Sequence, residues 1–139
     1  MSIKQAVPFL KVSDMQASIG FYVDGLGCEI RDKWEPDGKL RWCWLTLGEA
    51  AIMLQQFPTS GHDSWTPSGK VGEGVTVVFI CEDALQIYDE VRARGLDASR
   101  PFVSNGMWLT SLTDPDGYRL DIESNTDVPE GTRWGAEET

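Results

Sequence analysis

The sequence predicts an α+β protein built from two copies of a βαβββ module. Three observations lead there. An apolar, strand-like run followed by a capped helical pattern occurs twice at a constant offset of 68, as VPFLKVSDMQASIGFYVDGLG (7 to 27) and VTVVFICEDALQIYDEVRARG (75 to 95). Each copy closes with two further strand-like runs joined by a turn signal. A stretch rich in Gly, Ser and Pro, residues 58 to 74, separates the copies as a linker.

Each element has a local reason. In the first copy Ser13-Asp14 offers a side-chain cap to the helix, and in the second Glu82-Asp83 does the same, with negative charge at the positive end of the helix dipole. Helical spacing follows: Met15, Ile19, Val23 and Leu26, then Ala84, Ile87, Tyr88 and Val91. Gly27 and Gly95 supply the residue able to take the left-handed conformation at a helix end. CEIRDKW, followed by the turn signal EPDGK, is a further segment of the first module whose place in the sheet the sequence leaves open. The runs WCWLTL with GEAAIMLQQF, and MWLTSLT with DPDGYRLDIES, complete the modules. The first module is thus expected over 5–57, the second over 75–125, and residues 126–139 as a tail or exchanged arm of a single 139-residue domain.

Hairpin rules give strand registers. A two-residue turn at Gly48-Glu49 pairs Leu47 with Ala50, Trp44 with Met53 and Trp42 with Gln55. A four-residue turn over Asp114, Pro115, Asp116 and Gly117 would set Leu112 opposite Arg119, Thr110 opposite Asp121 and Trp108 opposite Glu123. Subtracting the repeat offset maps Asp121 onto Met53 and Thr110 onto Trp42, so the two expected registers agree. Directly opposed residues share a face of the sheet. Arg119, Asp121 and Glu123 therefore lie on one side of their strand, and Leu120 and Ile122 on the other.

Composition narrows the function. The chain carries a net charge of −10, divided as −1 over residues 1 to 70 and −9 over 71 to 139. No basic stripe is present to displace counterions from phosphates, so nucleic acid is not an expected partner. No apolar run approaches the length of a membrane span and the first ten residues do not form a secretory signal, so the expected location is the cytoplasm. Cys28, Cys43 and Cys81 are an odd set without CxxC spacing and are read as reduced packing residues. Acidity alone suits solubility, and it would also attract a cationic small molecule.

The duplicated pattern, with VPFLKVSDMQASIGFY at the front and DPDGYRLDIE at the back, resembles the glyoxalase / bleomycin resistance / extradiol dioxygenase (vicinal oxygen chelate) superfamily over residues 5 to about 125. That resemblance implies two modules whose strands curl into a U-shaped mixed sheet around a cup, helices outside, in a homodimer that in some members exchanges arms. It also implies where metal-dependent members hold their ion; the matching positions here are Val7, Met53, Val75 and Asp121. Valine has no lone pair and a thioether is a soft ligand, so no metal and no cofactor are expected. His62, the single histidine, sits in the linker beside Gly61 and Asp63 as a solvated loop residue.

The expected cup lining joins Phe9, Trp42, Trp44, Met53, Gln55, Phe79 and Trp108, with Val7, Val75 and Val77, to the polar Thr110, Arg119, Asp121 and Glu123, a mixture typical of small-molecule pockets. The bland alternatives are that Trp42 and Trp44 pack a core, that the charged strand face is simply solvated, that Lys11 extends to solvent, and that Arg119 only pairs with Asp121 or Glu123. Resemblance to bleomycin resistance proteins implies a non-catalytic protein that sequesters a planar, cationic ligand such as an antibiotic. The competing expectation is a lyase, isomerase or dioxygenase with an atypical or metal-free site, in which Asp121 or Glu123 acts as a base.

Overall fold

A computed structural model describes residues 2–62, 64–69 and 71–135, and the chain forms two compact units, residues 1–71 and 72–139. Each unit is one βαβββ module. Among the described residues no helix is long and apolar enough to cross a membrane.

The first module runs β1 (Phe9–Lys11), α1 (Met15–Ile19), β2 (Glu29–Trp34), β3 (Trp42–Leu47) and β4 (Ala50–Gln55), with sheet order β1-β4-β3-β2. β1 is parallel to β4 and the other pairs are antiparallel. Asp14 caps α1, its Oδ1 accepting from the backbone N–H of Gln16 (3.0 Å) and Ala17 (3.4 Å). The helix continues as a π-helical turn over Gly20–Gly25, where Leu26 N–H donates to Phe21 five residues back. That wider turn moves the buried stripe onto Met15, Ser18, Tyr22 and Leu26, leaving Ile19 and Val23 only partly covered. Gly27, at φ +91°, ends the helix in the left-handed region.

The expected register of the β3–β4 hairpin is the one observed: Leu47 pairs with Ala50, Trp44 with Met53 and Trp42 with Gln55. Gly48 at φ +59° makes the tight two-residue turn possible. The pairing puts Leu10, Cys43, Leu45, Ile52 and Leu54 on a buried face, each of the larger side chains contributing about 1.5 to 3 kcal/mol.

The second module runs β5 (Thr76–Ile80), α2 (Ala84–Ala93), β6 (Phe102–Ser104), β7 (Met107–Thr113) and β8 (Arg119–Asn125), in the equivalent order β5-β8-β7-β6. Asp83 caps α2 by accepting from Gln86 N–H at 3.1 Å, and Ala84 N–H donates to Ser124 Oγ at 2.9 Å, tying the helix start to β8. Ala84 and Val91 are its buried residues. α2 lies against β7 and β8, on the side of Leu112, Leu120 and Ile122.

Here the expected register fails by one residue. Thr113, not Leu112, pairs with Arg119; Ser111 pairs with Asp121, and Leu109 with Glu123. The cause is Gly117. Its N–H closes a turn back to Asp114 O at 3.0 Å, but it lies at φ +88° as an extra bulged residue, so Asp114 N–H reaches Tyr118 O (2.9 Å) across a three-residue loop. Because strand side chains alternate, closing the hairpin over three residues instead of the expected four exchanges the faces of β7.

β6 is turned into β7 by Asn105-Gly106, both at positive φ (55° and 73°), as the favoured hairpin turn requires. The chain after β8 then returns along β6: Val103 N–H donates to Thr132 O and Trp134 N–H to Pro101 O, with a bridge between Phe102 and Arg133. Glu130 accepts from the N–H of Asn105 at 2.6 Å, and Arg100 donates to the carbonyls of Trp134 and Gly135. Residues 126–135 thus edge the second module's own sheet. Residues 136–139 of the expected tail, and Asp63 and Lys70 of the linker, lie outside the described residues.

Candidate functional site

The open face of the first sheet is set by the strand register. Trp34 pairs with Trp42, Trp42 with Gln55, and Gln55 with Lys11, a single row crossing all four strands. The next row is Asp32, Trp44, Met53 and Phe9. Five of the expected site residues, Phe9, Trp42, Trp44, Met53 and Gln55, therefore share one face, opposite the buried Cys43, Leu45, Ile52 and Leu54. Trp42, Trp44, Met53 and Gln55 are partly covered and Phe9 is exposed.

A pocket of ≈ 320 Å³ opens beside the first row, lined by Trp34, Pro36, Arg41, Gln55, Gln56, Phe57 and Pro58. Its shape follows from backbone pairing. Arg41 N–H donates to Trp34 O (2.9 Å) and Gln56 N–H to Arg41 O (2.8 Å), so Arg41 bridges the ends of β2 and β4. Gln56 Oε1 accepts from Met15 N–H at 2.7 Å, which fixes that side chain to the start of α1. Lys11 Nζ lies over the rings of Phe57 (5.1 Å) and Trp65 (5.7 Å), holding the beginning of the linker against β1. Lys11, for which extension to solvent is the bland alternative, is engaged by two aromatic faces.

Of the pocket's walls, the sequence points only to Gln55. Trp34, Arg41 and Phe57 escape it because β2 has no assigned place there. Pairing CEIRDKW with WCWLTL is the signal that puts Trp34 beside Trp42.

In the second module Arg119, Asp121 and Glu123 share a face with Val78, Ile80, Leu109 and Ser111. Asp121 is 7% exposed and fully engaged. Arg119 donates from Nε to Oδ1 (2.8 Å) and from Nη2 to Oδ2 (3.4 Å), and Ser111 Oγ donates to Oδ1 at 2.7 Å. The hydrogen bond to Asp121, and then its charge, push the Arg119 pKa up. A carboxylate with both oxygens taken is poorly placed to accept a substrate proton.

Four expected lining residues face the other way. Thr110 is fully buried and donates to Ser99 O at 2.5 Å; Trp108 is buried edge-to-face against Trp134 at 5.9 Å; Phe79 pairs with the buried Ile122 and Val77 with the buried Leu120. All four lie on the side of the sheet that carries α2, Thr110 and Trp108 through the register slip of β7, Phe79 and Val77 through the register of β5 on β8. The same register corrects one of the four positions implied for a metal. Phe9 pairs with Met53 and Val78 with Asp121, so the counterpart of Val7 is Thr76 rather than Val75. Val7, Met53, Thr76 and an Asp121 already bound by Arg119 do not make a donor set for a hard or borderline divalent ion. No group of three or more His, Cys, Asp or Glu suited to a metal occurs among the described residues. Cys28 and Cys43 are buried packing residues: burial pushes Cys28 up to about 12 and Cys43 up to about 11, far from a reactive thiolate, while Cys81 is partly exposed.

Comparison with known proteins agrees with the module architecture. Residues 3–122 match the Glyoxalase/Bleomycin resistance protein/Dioxygenase superfamily. Lactoylglutathione lyase of Haemophilus influenzae is 28% identical over 131 residues, 88% of this chain and 93% of that one. Among solved structures, a bleomycin-binding protein complexed with bleomycin superposes with a TM-score of 0.67 at 20% identity, covering 88% of this chain and 99% of the other. TnmS3, an antibiotic binding protein from Streptomyces sp. CB03234, gives a TM-score of 0.66 at 18% identity, covering 91% and 99%.

Proposed function

Because the chain belongs to the Glyoxalase/Bleomycin resistance protein/Dioxygenase superfamily, we propose that it is a small-molecule-binding protein that sequesters a planar ligand, of antibiotic type, without transforming it. The observation that carries this reading is the Trp34–Trp42–Gln55–Lys11 row with its adjoining pocket. Indole and phenyl faces supply broad, sequence-tolerant stacking area, and Gln55 and Arg41 supply orienting polar contacts. The fold likeness to a bleomycin-binding protein and to an antibiotic binding protein supports the class of function. The proposed working form is a cytoplasmic homodimer. The chain's net negative charge would draw cationic compounds toward it.

The test is a tryptophan-fluorescence titration of the metal-free protein against bleomycin and a panel of planar aromatic compounds. At least one compound is expected to quench saturably, and Trp34→Ala or Trp42→Ala to weaken that binding by about 1 to 3 kcal/mol. Unchanged fluorescence across the panel contradicts the reading.

The enzyme reading is favoured by one observation, the similarity to lactoylglutathione lyase over most of the chain. It is tested by metal analysis of protein purified without chelators, together with an assay for lyase activity. Stoichiometric Ni, Zn, Fe or Mn accompanied by turnover would replace the binding reading.

A further inference from the structure

We infer that the ligand of the Trp34 pocket is a planar aromatic molecule carrying a carboxylate, which Arg41 receives; this rests on the reading of that pocket as the binding site. The polar groups lining it are Arg41, Gln55 and Gln56, and no carboxylate lines it. Glu35, next to the lining Pro36, is already held by Lys33 at 2.9 Å. Of the three polar side chains, Gln56 has its carbonyl oxygen committed to Met15 N–H. What remains is donor-rich: the five N–H groups of a guanidinium, an amide N–H₂ from each glutamine, and one amide oxygen on Gln55.

Charge points the same way. Among the described residues the Arg41 side chain makes no ion pair, while its backbone is fixed on both sides by the bonds to Trp34 and Gln56. A cation whose main chain is anchored, at the wall of an apolar pocket, suits a planar oxyanion that accepts two parallel hydrogen bonds. A cationic ligand would meet the opposite condition. Phe57, the pocket's second large aromatic wall, already has Lys11 over its ring, and Trp65 shares that same ammonium. Those π faces are therefore occupied by a resident positive charge, which would repel a second. Locally, the site selects against the charge that the whole chain attracts.

The ring component follows from the walls. Trp34, Phe57, Pro36 and Pro58 present flat apolar surfaces around ≈ 320 Å³, at the small end of ligand pockets and suited to one or two fused rings.

The experiment is isothermal titration of the full-length chain with three probes of matched ring and differing charge: naphthoate, naphthamide and naphthylmethylammonium. Naphthoate is expected to bind about ten-fold or more tighter than the other two. Arg41→Gln should abolish that preference, and Arg41→Lys should restore part of it. Equal affinity for the three probes, tighter binding of the ammonium, or a naphthoate preference surviving in Arg41→Gln would each overturn the inference while leaving the pocket as a binding site. Failure of all three probes to bind would instead overturn the reading of the pocket, and the inference with it.

Discussion

Arg119 holds Asp121 from the same strand, two residues away, with Nε 2.8 Å from one carboxylate oxygen and Nη2 3.4 Å from the other. Both project from the face of β8 opposite the buried Leu120 and Ile122, and the pair lets a carboxylate be almost fully buried beside Ser111. A strand with one charged face here contains its own neutralisation. Arg119→Ala should cost about 1 kcal/mol in urea unfolding, kept small by the exposure of the guanidinium. Combining it with Asp121→Asn should recover much of that loss, since the buried charge is removed along with its partner. Strictly additive losses would show that the pair contributes nothing.

Both hairpins are legible in the sequence, but only the register of the first is, for one physical reason. Gly48-Glu49 takes the two-residue turn that the expected register presupposes, so every pair from Leu47–Ala50 to Trp42–Gln55 follows. Asp-Pro-Asp-Gly reads equally as a four-residue turn or as a turn plus a left-handed bulge, and Gly117 takes the second course. The repeat offset of 68 therefore holds between β4 and β8, where Met53 corresponds to Asp121, but is 67 between β3 and β7, where Cys43 corresponds to Thr110. It is 69 between β1 and β5, where Phe9 corresponds to Val78. An odd slip exchanges faces, which is why the constant offset puts Trp108, Thr110 and Phe79 in the site and leaves Ser111 out. The pocket itself is hidden because Trp34 and Arg41 flank a turn whose strand has no partner assigned by pattern alone. For β6 the signal is Asn105-Gly106, between FVS and MWL.

Gly72 shows where backbone approach, rather than φ, demands glycine. A Cβ there would lie 2.3 Å from the carbonyl carbon of Gly117 and from Tyr118 N, main-chain atoms of the bulged turn that cannot rotate away. Gly72→Ala is expected to destabilise by about 1 to 3 kcal/mol, the range for overpacking. Gly20, helical at φ −57° with nothing within 4 Å of where a methyl would stand, should respond in the opposite sense. Gly20→Ala is expected to stabilise by roughly 0.5 to 1 kcal/mol. Thermal unfolding of the two variants checks the contrast; equal effects would contradict it.

The buried thiols give a pH prediction of definite sign. Cys28 and Cys43 have folded pKa values of about 12 and about 11, raised from 9.0 chiefly by burial, so above pH 9 the unfolded chain releases protons that the folded chain keeps. Their contribution is fully present below the unfolded pKa and is lost as pH rises toward the folded values, at up to about 1.4 kcal/mol per pH unit for each thiol. Urea midpoints should fall steeply between pH 9 and 11, and Cys28→Ala/Cys43→Ala should flatten that limb while lowering stability near neutrality. Fast reaction of Cys28 or Cys43 with a thiol reagent in the native protein at pH 8 would contradict the account.

Binding on the open face of the first sheet is the central claim, and the six tryptophans allow it to be read directly. The measurement is a set of indole Nε1–H proton–nitrogen spectra, assigned by single substitution, recorded during titration with a compound that quenches fluorescence. The account predicts saturable shifts at Trp34 and Trp42, on the row beside the pocket, with Trp108 and Trp134, packed edge-to-face in the second module, unmoved. Shifts at Trp108 and Trp134 with Trp34 and Trp42 silent would contradict it.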